Sequence, residues 1–338
     1  MRAIIVEQRF GLDQVRLAEI PMPALGPGQL RIRVRAASLN YRDILVARGD
    51  YNPNYPLPLI LGSDAVGEVC EHGPGVDQTE FPLGSRVCPT FAQGWLDGPP
   101  LRNTVRQTLG GPLPGVFAEF AVLRSDGLIA LPEDVSDEAA ACLPCAGVTA
   151  WSALCRHAEL RAGQSVLVLG SGGVSCFAIS IARSLGLRVF ATTRDLANKG
   201  NKLRELGADQ VVDAQTAGWG RRVRELSGGE GVDHVIEVSG GATFAESLAA
   251  LRPGGGISLI GVLGGRAAPL DVLPIVMRNL RVQGIFVGNR ADFLALLGSI
   301  SSGVRPVVDS VWPFERFSEA IQHMLNGDHV GKVVLRWS

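Results

Sequence analysis

The chain has 338 residues, 46% hydrophobic and 19% charged, which is ample apolar material for packed cores and excludes a disordered chain. Its 32 Lys and Arg offset 33 Asp and Glu for a net charge of −1, which excludes broad electrostatic attraction to nucleic acid or to an anionic membrane. No uncharged apolar run reaches membrane-spanning length, and the opening MRAIIVEQ lacks the basic–apolar–small order of an export signal, so a cytoplasmic protein is expected.

Residues 1 to about 125 read as β-rich. Leu30, Ile32, Val34 and Ala36 alternate with Arg31, Arg33 and Arg35, the period of a strand with one face in a core. Residues 65–69 and 116–123 read as further strands, and frequent Pro and Gly between them suit short strands closing into a barrel. The segment 89–114 shows little periodicity and reads as a long loop, either a lid or a passive surface. Beyond about residue 130 the pattern changes. Ser136 before Asp137 and Glu138 starts a helix, Pro144 interrupts it, and residues 149–157 resume it. Strands are predicted at 166–169, 188–192, 210–212, 233–238, 256–262 and 281–287, with helices at 198–206, 218–226 and 243–251. Strands alternating with helices in this way make an α/β doubly wound, six-stranded parallel sheet of Rossmann type. Arg252-Pro-Gly-Gly-Gly256 is expected to be a sharp helix-to-strand turn. The tail holds a helix at 314–326 and a strand at 332–336, which is left to return to the first domain.

The densest signal lies at residues 165–195. Val166 to Leu169 form an uncharged apolar strand; Gly170-Ser171-Gly172-Gly173-Val174 follow at once; Val174, Phe177, Ala178, Ile181 and Leu185 then recur at helical spacing. Glycines in such a strand–turn–helix let backbone N–H groups approach a pyrophosphate at the positive end of the helix dipole. The third glycine of the G-x-G-x-x-G pattern is replaced by Ser175, a small residue that still permits close helix–strand packing. The second strand ends in Thr193-Arg194, where NAD-selective sites present an acid to the ribose 2′-hydroxyl. A hydroxyl and a guanidinium suit a 2′-phosphate, so NADPH is expected. Lys199 and Lys202 follow, and residues 183–224 carry nine Lys/Arg against four Asp/Glu. Asp195, one place later, is the feature that favours NAD.

Six cysteines are scattered through the chain. Cys142-Leu-Pro-Cys145 has redox spacing, but no second pair, nearby His or thioredoxin-like unit accompanies it.

Together, LILGSDAVGEV (59–69), LPCAGVTAWSAL (143–154), VLVLGSGGV (166–174), LRELGADQVVD (203–213), GVDHVIEVSGG (231–241) and GKVVL (331–335) resemble the medium-chain dehydrogenase/reductase superfamily along the whole chain, with the nearest likeness to its zinc-independent quinone oxidoreductase-like and enoyl-reductase-like branches. The resemblance implies a β-rich GroES-like barrel domain (1–126 and 291–338), a Rossmann domain (127–290), an active-site cleft between them, and a homodimer formed through the last sheet strand. Zinc-dependent members carry ligands where this chain has Asn40, Ser63-Asp64 and Cys145. An amide, a hydroxyl and one thiol fall short of the three N, S or carboxylate ligands of catalytic zinc, so none is expected.

By the same resemblance Asn40, Asp43 and Tyr51 lie beside the nicotinamide, with Tyr51 as proton donor, enolate partner or packing wall. Tyr41, Trp95 and Cys145 are expected to line the substrate. Thr149 is expected to face the cofactor. Gly240, Gly261, Val262, Val287 and Gly288 stand at carboxyl ends of strands, where Rossmann ligands bind. Asn289 and Arg290 are placed within reach of the pyrophosphate, and Lys332 is a further candidate. The activity expected is NADPH-dependent hydride transfer to an activated C=C (enone or enal) or to a quinone. The alternatives are an alcohol dehydrogenase or carbonyl reductase, and a non-catalytic NADPH-binding protein of structural or regulatory use.

Overall fold

The computed structural model describes residues 1–265, 267 and 271–337, which pack as two compact units. The first comprises residues 1–146, 289–294 and 308–338, and the second residues 147–288 and 295–307. The sequence placed the junctions at 126/127 and 290/291, so both are corrected. Residues 127–146 stay with the first unit because Asp137 accepts hydrogen bonds from Arg35 (2.6 Å) and Arg86 (2.9 Å). Residues 295–307 join the second because the Arg305 backbone N–H donates to Ser180 Oγ (3.0 Å) and Leu296 is fully buried beside Gly147.

The first unit opens with β1 (Arg2–Val6), β2 (Val15–Glu19), β3 (Gln29–Ser38), α1 (Tyr41–Arg48), β4 (Leu59–Ile60), β5 (Asp64–His72), β6 (Arg86–Pro89), β7 (Phe120–Arg124), β8 (Leu128–Ala130) and α2 (Asp137–Ala140). β3 carries the predicted alternation: Leu30, Ile32, Val34 and Ala36 are buried, and the first three join the core shared with Val69, Val87, Phe117 and Leu335. α2 starts as predicted, with Ser136 Oγ accepting the Ala139 N–H.

The second unit follows with α3 (Val148–Trp151), β9 (Ser165–Leu169), α4 (Gly173–Ser184), β10 (Arg188–Thr193), α5 (Leu196–Leu206), β11 (Gln210–Asp213), α6 (Trp219–Leu226), β12 (Val232–Glu237), α7 (Phe244–Ala250), β13 (Leu251–Leu259), α8 (Leu273–Met277) and β14 (Arg281–Gly284). Its strands run parallel in the order β11-β10-β9-β12-β13-β14, the doubly wound arrangement expected, with the fully buried β9 at the switch point. Two local expectations are corrected. Residues 252–256 form part of β13, because Leu251 already pairs with Val232; the glycines absorb a register shift, with Gly254 at φ 74°. β14 stops at Gly284 rather than 287, since the chain reaches a left-handed turn at Val287 (φ 48°).

Then come α9 (Arg290–Ile300), β15 (Val308–Pro313), α10 (Phe317–Asn326) and β16 (Lys332–Arg336). β16 returns to the first unit as expected, antiparallel to β3. β15, which the sequence reading missed, lies parallel to β16. No helix among the described residues is long and apolar enough to cross a membrane.

His234 on β12 is buried, and its Nε2 lies 2.9 Å from Ser258 Oγ. Burial, assisted by Arg281, lowers its pKa to about 4. The unfolded chain takes up this proton near the ordinary histidine value of about 6.5, so stability falls as pH drops from there through the folded value, by about 3 kcal/mol in all. His234→Asn should flatten the stability difference between pH 7 and pH 4.5, measured by urea unfolding at both; an unchanged difference refutes the assignment.

Candidate active site

In the first unit the site is built where β3 runs out into α1. Asn40 is extended (φ −121°) and caps α1; its backbone N–H donates to Asp43 Oδ2 (2.8 Å). The capping carboxylate is buried. Its other oxygen, Oδ1, has no hydrogen-bond partner. Burial raises the Asp43 pKa to about 7, against the opposing effects of the Asn40 N–H and the nearby Arg42 charge.

β5 begins at the second cluster. Gly62 turns the chain at φ 90°, where a Cβ would enter the Phe117 ring, and delivers Ser63 and Asp64 into the interior. Asp64 is wholly buried. It accepts from Ser63 Oγ (3.2 Å) and Ser38 Oγ (3.3 Å). Burial pushes its pKa up, and Lys332, Asn40, Ser63 and the Cys145 backbone N–H pull it back.

Lys332, the first residue of β16, brings the cation. The Leu39 N–H bonds to the Val333 carbonyl (2.9 Å), which draws β16 to the end of β3. Lys332 is 4% exposed, and its Nζ donates to the Leu39 carbonyl (2.5 Å) and to Asn40 Oδ1 (2.6 Å), with Asp64 Oδ2 at 3.7 Å. Asn40 Nδ2 lies 3.5 Å from Ser63 Oγ. Burial raises the Cys142 and Cys145 thiols well above the usual range, so both stay neutral at physiological pH. Among the described residues no three His, Cys, Asp or Glu side chains group as metal ligands.

Arg42 organises the loop beyond. Its guanidinium lies between the rings of Tyr51 (4.7 Å) and Phe91 (4.9 Å) and donates to the Leu109 and Gly111 carbonyls. Tyr51 is thereby held half-exposed, next to the helix that carries Asn40 and Asp43. Tyr41, the first residue of α1, is also half-exposed. Trp95 is 6% exposed and donates its indole N–H to the Gly98 carbonyl (3.1 Å), so it serves mainly to pack the loop. Asn289 and Arg290, expected within reach of the pyrophosphate, hydrogen-bond within the first unit. Asn289 Oδ1 accepts the Asp292 N–H (2.8 Å) at the start of α9, and the Arg290 guanidinium reaches the Leu128 carbonyl and Glu80.

The second unit holds the glycine turn. Gly170 (φ 77°) turns the chain out of β9, Gly172 caps α4, and a Cβ at Gly172 would meet open space, so a ligand can approach the backbone there. Ser175 turns its hydroxyl inward to the Leu169 carbonyl (2.6 Å), which explains how it replaces glycine. Gly173 and Val174 form the first helical residues, half-buried. Lys199 on α5 is buried, with Nζ 3.4 Å from Ser171 Oγ. Thr193 is buried and accepts the Asp195 N–H (3.2 Å); Arg194 is exposed. The Asp195 carboxylate caps α5 by accepting from the Asn198 N–H (3.1 Å). Thr149 is buried in α3.

At the carboxyl ends of β12 and β13, a Cβ on Gly240 would fall 2.6 Å from the Gly261 carbonyl and one on Gly261 would strike the Val238 carbonyl. Val262 is exposed, Gly288 is buried, and Val287 holds a left-handed backbone that costs a β-branched residue about 1–3 kcal/mol. The sequence reading missed the residue that shapes this edge, Glu237. Its fully buried carboxylate accepts the Ser239 (2.8 Å) and Gly240 (2.9 Å) N–H groups and the Thr243 and Ser247 hydroxyls. The available signal was an acid at the buried end of an apolar strand, directly before Val-Ser-Gly-Gly.

Asp43 supplies a pH-dependent test. An aspartate ionises near 3.9 in the unfolded chain and at about 7 here, so between these values the folded protein binds more protons and stability falls as pH rises. Asp43→Asn should remove this decline, so that relative to wild type it gains on the order of 2–3 kcal/mol between pH 5 and pH 8. Chemical unfolding at the two pH values reads it, and parallel wild-type and variant profiles contradict it.

Two family models match the chain: an alcohol dehydrogenase GroES-like domain over residues 26–133 and a zinc-binding dehydrogenase over residues 173–302. Similar curated proteins include the zinc-type alcohol dehydrogenase-like protein C1773.06c of Schizosaccharomyces pombe, 35% identical over 99% of both chains, and the acryloyl-coenzyme A reductase of Metallosphaera sedula, 32% identical over 99% of both. Similar solved structures include an NAD-dependent alcohol dehydrogenase (32% identical, TM-score 0.91, all of both chains) and mycobacterial Rv1454c complexed with NADPH (29% identical, TM-score 0.86, 99% of this chain and 100% of that one).

Proposed function

The chain belongs to the medium-chain dehydrogenase/reductase superfamily and is a nicotinamide-dependent oxidoreductase, and from that premise we propose that it uses NADPH, without zinc, to transfer hydride to an activated C=C or to a quinone. The observation that carries this reading is Lys332. Its ammonium lies 2.6 Å from Asn40 Oδ1 and 3.7 Å from Asp64 Oδ2, beside Asn40, Ser63 and Cys145, which stand where zinc-dependent relatives carry ligands. An amide, a hydroxyl and a single thiol beside a resident ammonium fall short of the three N, S or carboxylate ligands that catalytic zinc needs. The zinc-binding name of the matching model describes a family, and the donor set of this chain does not suit that metal.

Hydride addition to an enone suits such a site. Hydride from the dihydronicotinamide adds to the β-carbon, the C=C electrons shift to make an enolate, and a proton completes the α-carbon. The negative charge is delocalised and needs hydrogen bonds more than a Lewis acid. Tyr51, half-exposed against Arg42, is the proton donor in this reading and is reprotonated from water; Asn40 and Asp43 orient the substrate and its loop. Tyr41 and Cys145 line the substrate, with Trp95 supporting the wall. The balance is NADPH, a proton and enone giving NADP⁺ and the saturated ketone.

NADPH is supported by the use of Asp195. Its carboxylate is spent on the α5 cap, while Arg194 stays exposed and Lys199 reaches the glycine turn. A guanidinium–phosphate contact is worth roughly 1.5–3 kcal/mol, so Arg194→Ala should cut the preference for NADPH over NADH by ~10- to 100-fold. Equal kcat/KM for the two cofactors in the wild type would contradict it.

Substrate class is tested by steady-state rates with NADPH on 2-cyclohexen-1-one, a benzoquinone and cyclohexanone. Turnover of the first two supports the reading. Turnover of cyclohexanone alone would favour carbonyl reduction, and binding of NADPH without any turnover would favour a non-catalytic role. A homodimer through β14 is part of the same proposal: β14 ends the sheet with all four residues exposed, and Val272, Leu273, Val276 and Met277 beside it are more than half exposed.

A further inference from the structure

We propose that the second unit carries a further ligand site, at the end of its sheet away from the glycine turn, for a small carboxylate that also bears a hydroxyl or amino hydrogen-bond donor. The site is independent of the substrate and cofactor readings above.

Strand register builds it. Residues paired across neighbouring parallel strands project from the same face of the sheet. His234 on β12 pairs with Gly256 on β13, and Gly256 with Arg281 on β14, so these three share a face with Ser258 and Gln283, two residues further on. His234 stands level with Val166, near the start of β9, whereas the glycine turn follows Leu169 at its end. Rossmann cofactors bind beyond that carboxyl end. A pocket of about 340 Å³ opens at the His234 level, within the size range of small-ligand sites, and its lining includes His157, His234, Gly256, Arg281 and Gln283. Gly256 makes the space: a Cβ there would sit 2.9 Å from His234 Nδ1 and 3.2 Å from its Cε1.

His234 turns an acceptor to that space. The Ser258 hydroxyl donates its one proton to the Ala153 carbonyl (3.3 Å), so at the 2.9 Å contact the imidazole donates its Nε2–H and Nδ1 is left as a bare acceptor. Among the described residues Nδ1 has no hydrogen-bond partner, although His234 is only 4% exposed. Burial holds the ring neutral at physiological pH, with a pKa of about 4, so the lone pair stays available to a donor. A nearly buried acceptor at the wall of a pocket calls for a ligand O–H or N–H.

Arg281 supplies the charge. It is exposed, and its ion-pair partner is the equally exposed Glu159, 3.8 Å away. Exposed pairs of this length are weak, so a carboxylate that meets the guanidinium with two parallel N–H···O bonds displaces Glu159. The His234 and Arg281 backbones lie two strand spacings apart, roughly 10 Å, and a molecule of a few carbons spans what their side chains leave. A carboxylate alone would leave Nδ1 without a partner, and a neutral alcohol would leave the guanidinium to Glu159. The pair of groups therefore selects one ligand chemistry, a carboxylate with a donor beside it, which hydroxy acids and amino acids share.

The test titrates the full-length protein with sodium L-lactate and with L-alanine, the two forms of that chemistry. Propionate is the carboxylate without the donor, and lactamide is the donor without the charge. Binding is read from the imidazole ¹⁵N signals of His234, assigned by their loss in His234→Asn; should that variant fail to fold, Ser258→Ala assigns them by displacing the Nε2 signal. Lactate or alanine should shift the Nδ1 signal saturably, and the tighter of the two identifies the donor as hydroxyl or ammonium. Propionate and lactamide should each bind at least ~10-fold more weakly, and Arg281→Ala, a change at an exposed side chain, should weaken lactate and alanine by ~10-fold. Saturating lactate or alanine should leave NADPH binding, read by nicotinamide fluorescence, in place. No saturable shift with either ligand, propionate binding as tightly as both, or an unchanged Kd in Arg281→Ala overturns the site. Displacement of NADPH overturns its placement away from the glycine turn.

Discussion

One buried ammonium governs the first unit. Lys332 is 4% exposed, and burying a charge is costly unless it is paired and hydrogen-bonded. The fold supplies both: the Leu39 carbonyl, the Asn40 amide oxygen and the Asp64 carboxylate. These come from two stretches, residues 39–40 and Asp64, both far in sequence from Lys332, so the pairing exists only once β16 has returned to β3 and β5. Breaking such a buried pair typically costs about 3–5 kcal/mol, because the remaining charge is stranded. The same contacts set the Asn40 side chain, hold the end of β3 and moderate Asp64, so the chemistry of the site and the closure of the barrel depend on one cation.

The second unit solves a different problem with backbone. Its glycine turn exposes N–H groups at the start of α4, and Glu237 shapes the opposing turn by collecting two N–H groups and two hydroxyls on one buried carboxylate. The turn therefore rests on positions that leave the backbone open, such as Gly172, and on one whose side chain anchors it, Ser175. In the proposed reading, cofactor selection falls to Thr193, Arg194 and Asp195. The decisive fact there is local: an aspartate already engaged in capping a helix is a poor partner for a ribose.

The sheet of the second unit was legible because its signals are local. β9 is an unbroken apolar run, the glycines follow immediately, and the helix after them is periodic. β3 was legible for the same reason. The domain junction was not, since it depends on Asp137 reaching Arg35 and Arg86, 102 and 51 residues away in sequence, rather than on composition nearby. β15 was missed because a strand of half-exposed Asp, Ser, Val and Trp carries no clear alternation. Among candidate site residues, Asn40, Asp43 and Cys145 were singled out by motif position. Lys332 was seen only as a vague candidate, because nothing in GKVVL reveals that its first charge points inward. Strand-end position suggested Asn289 and Arg290 as ligand contacts, and nothing in the sequence signals the capping and packing bonds that their side chains make.

The account stands or falls on whether Lys332 supplies the positive charge that zinc supplies in other members of the superfamily. Elemental analysis of the purified protein for zinc, paired with NADPH-dependent turnover of 2-cyclohexen-1-one before and after exhaustive chelation, addresses this directly. The account predicts zinc far below one equivalent per chain and a rate that chelation leaves unchanged. One equivalent of zinc whose removal abolishes turnover, and whose return restores it, would contradict it.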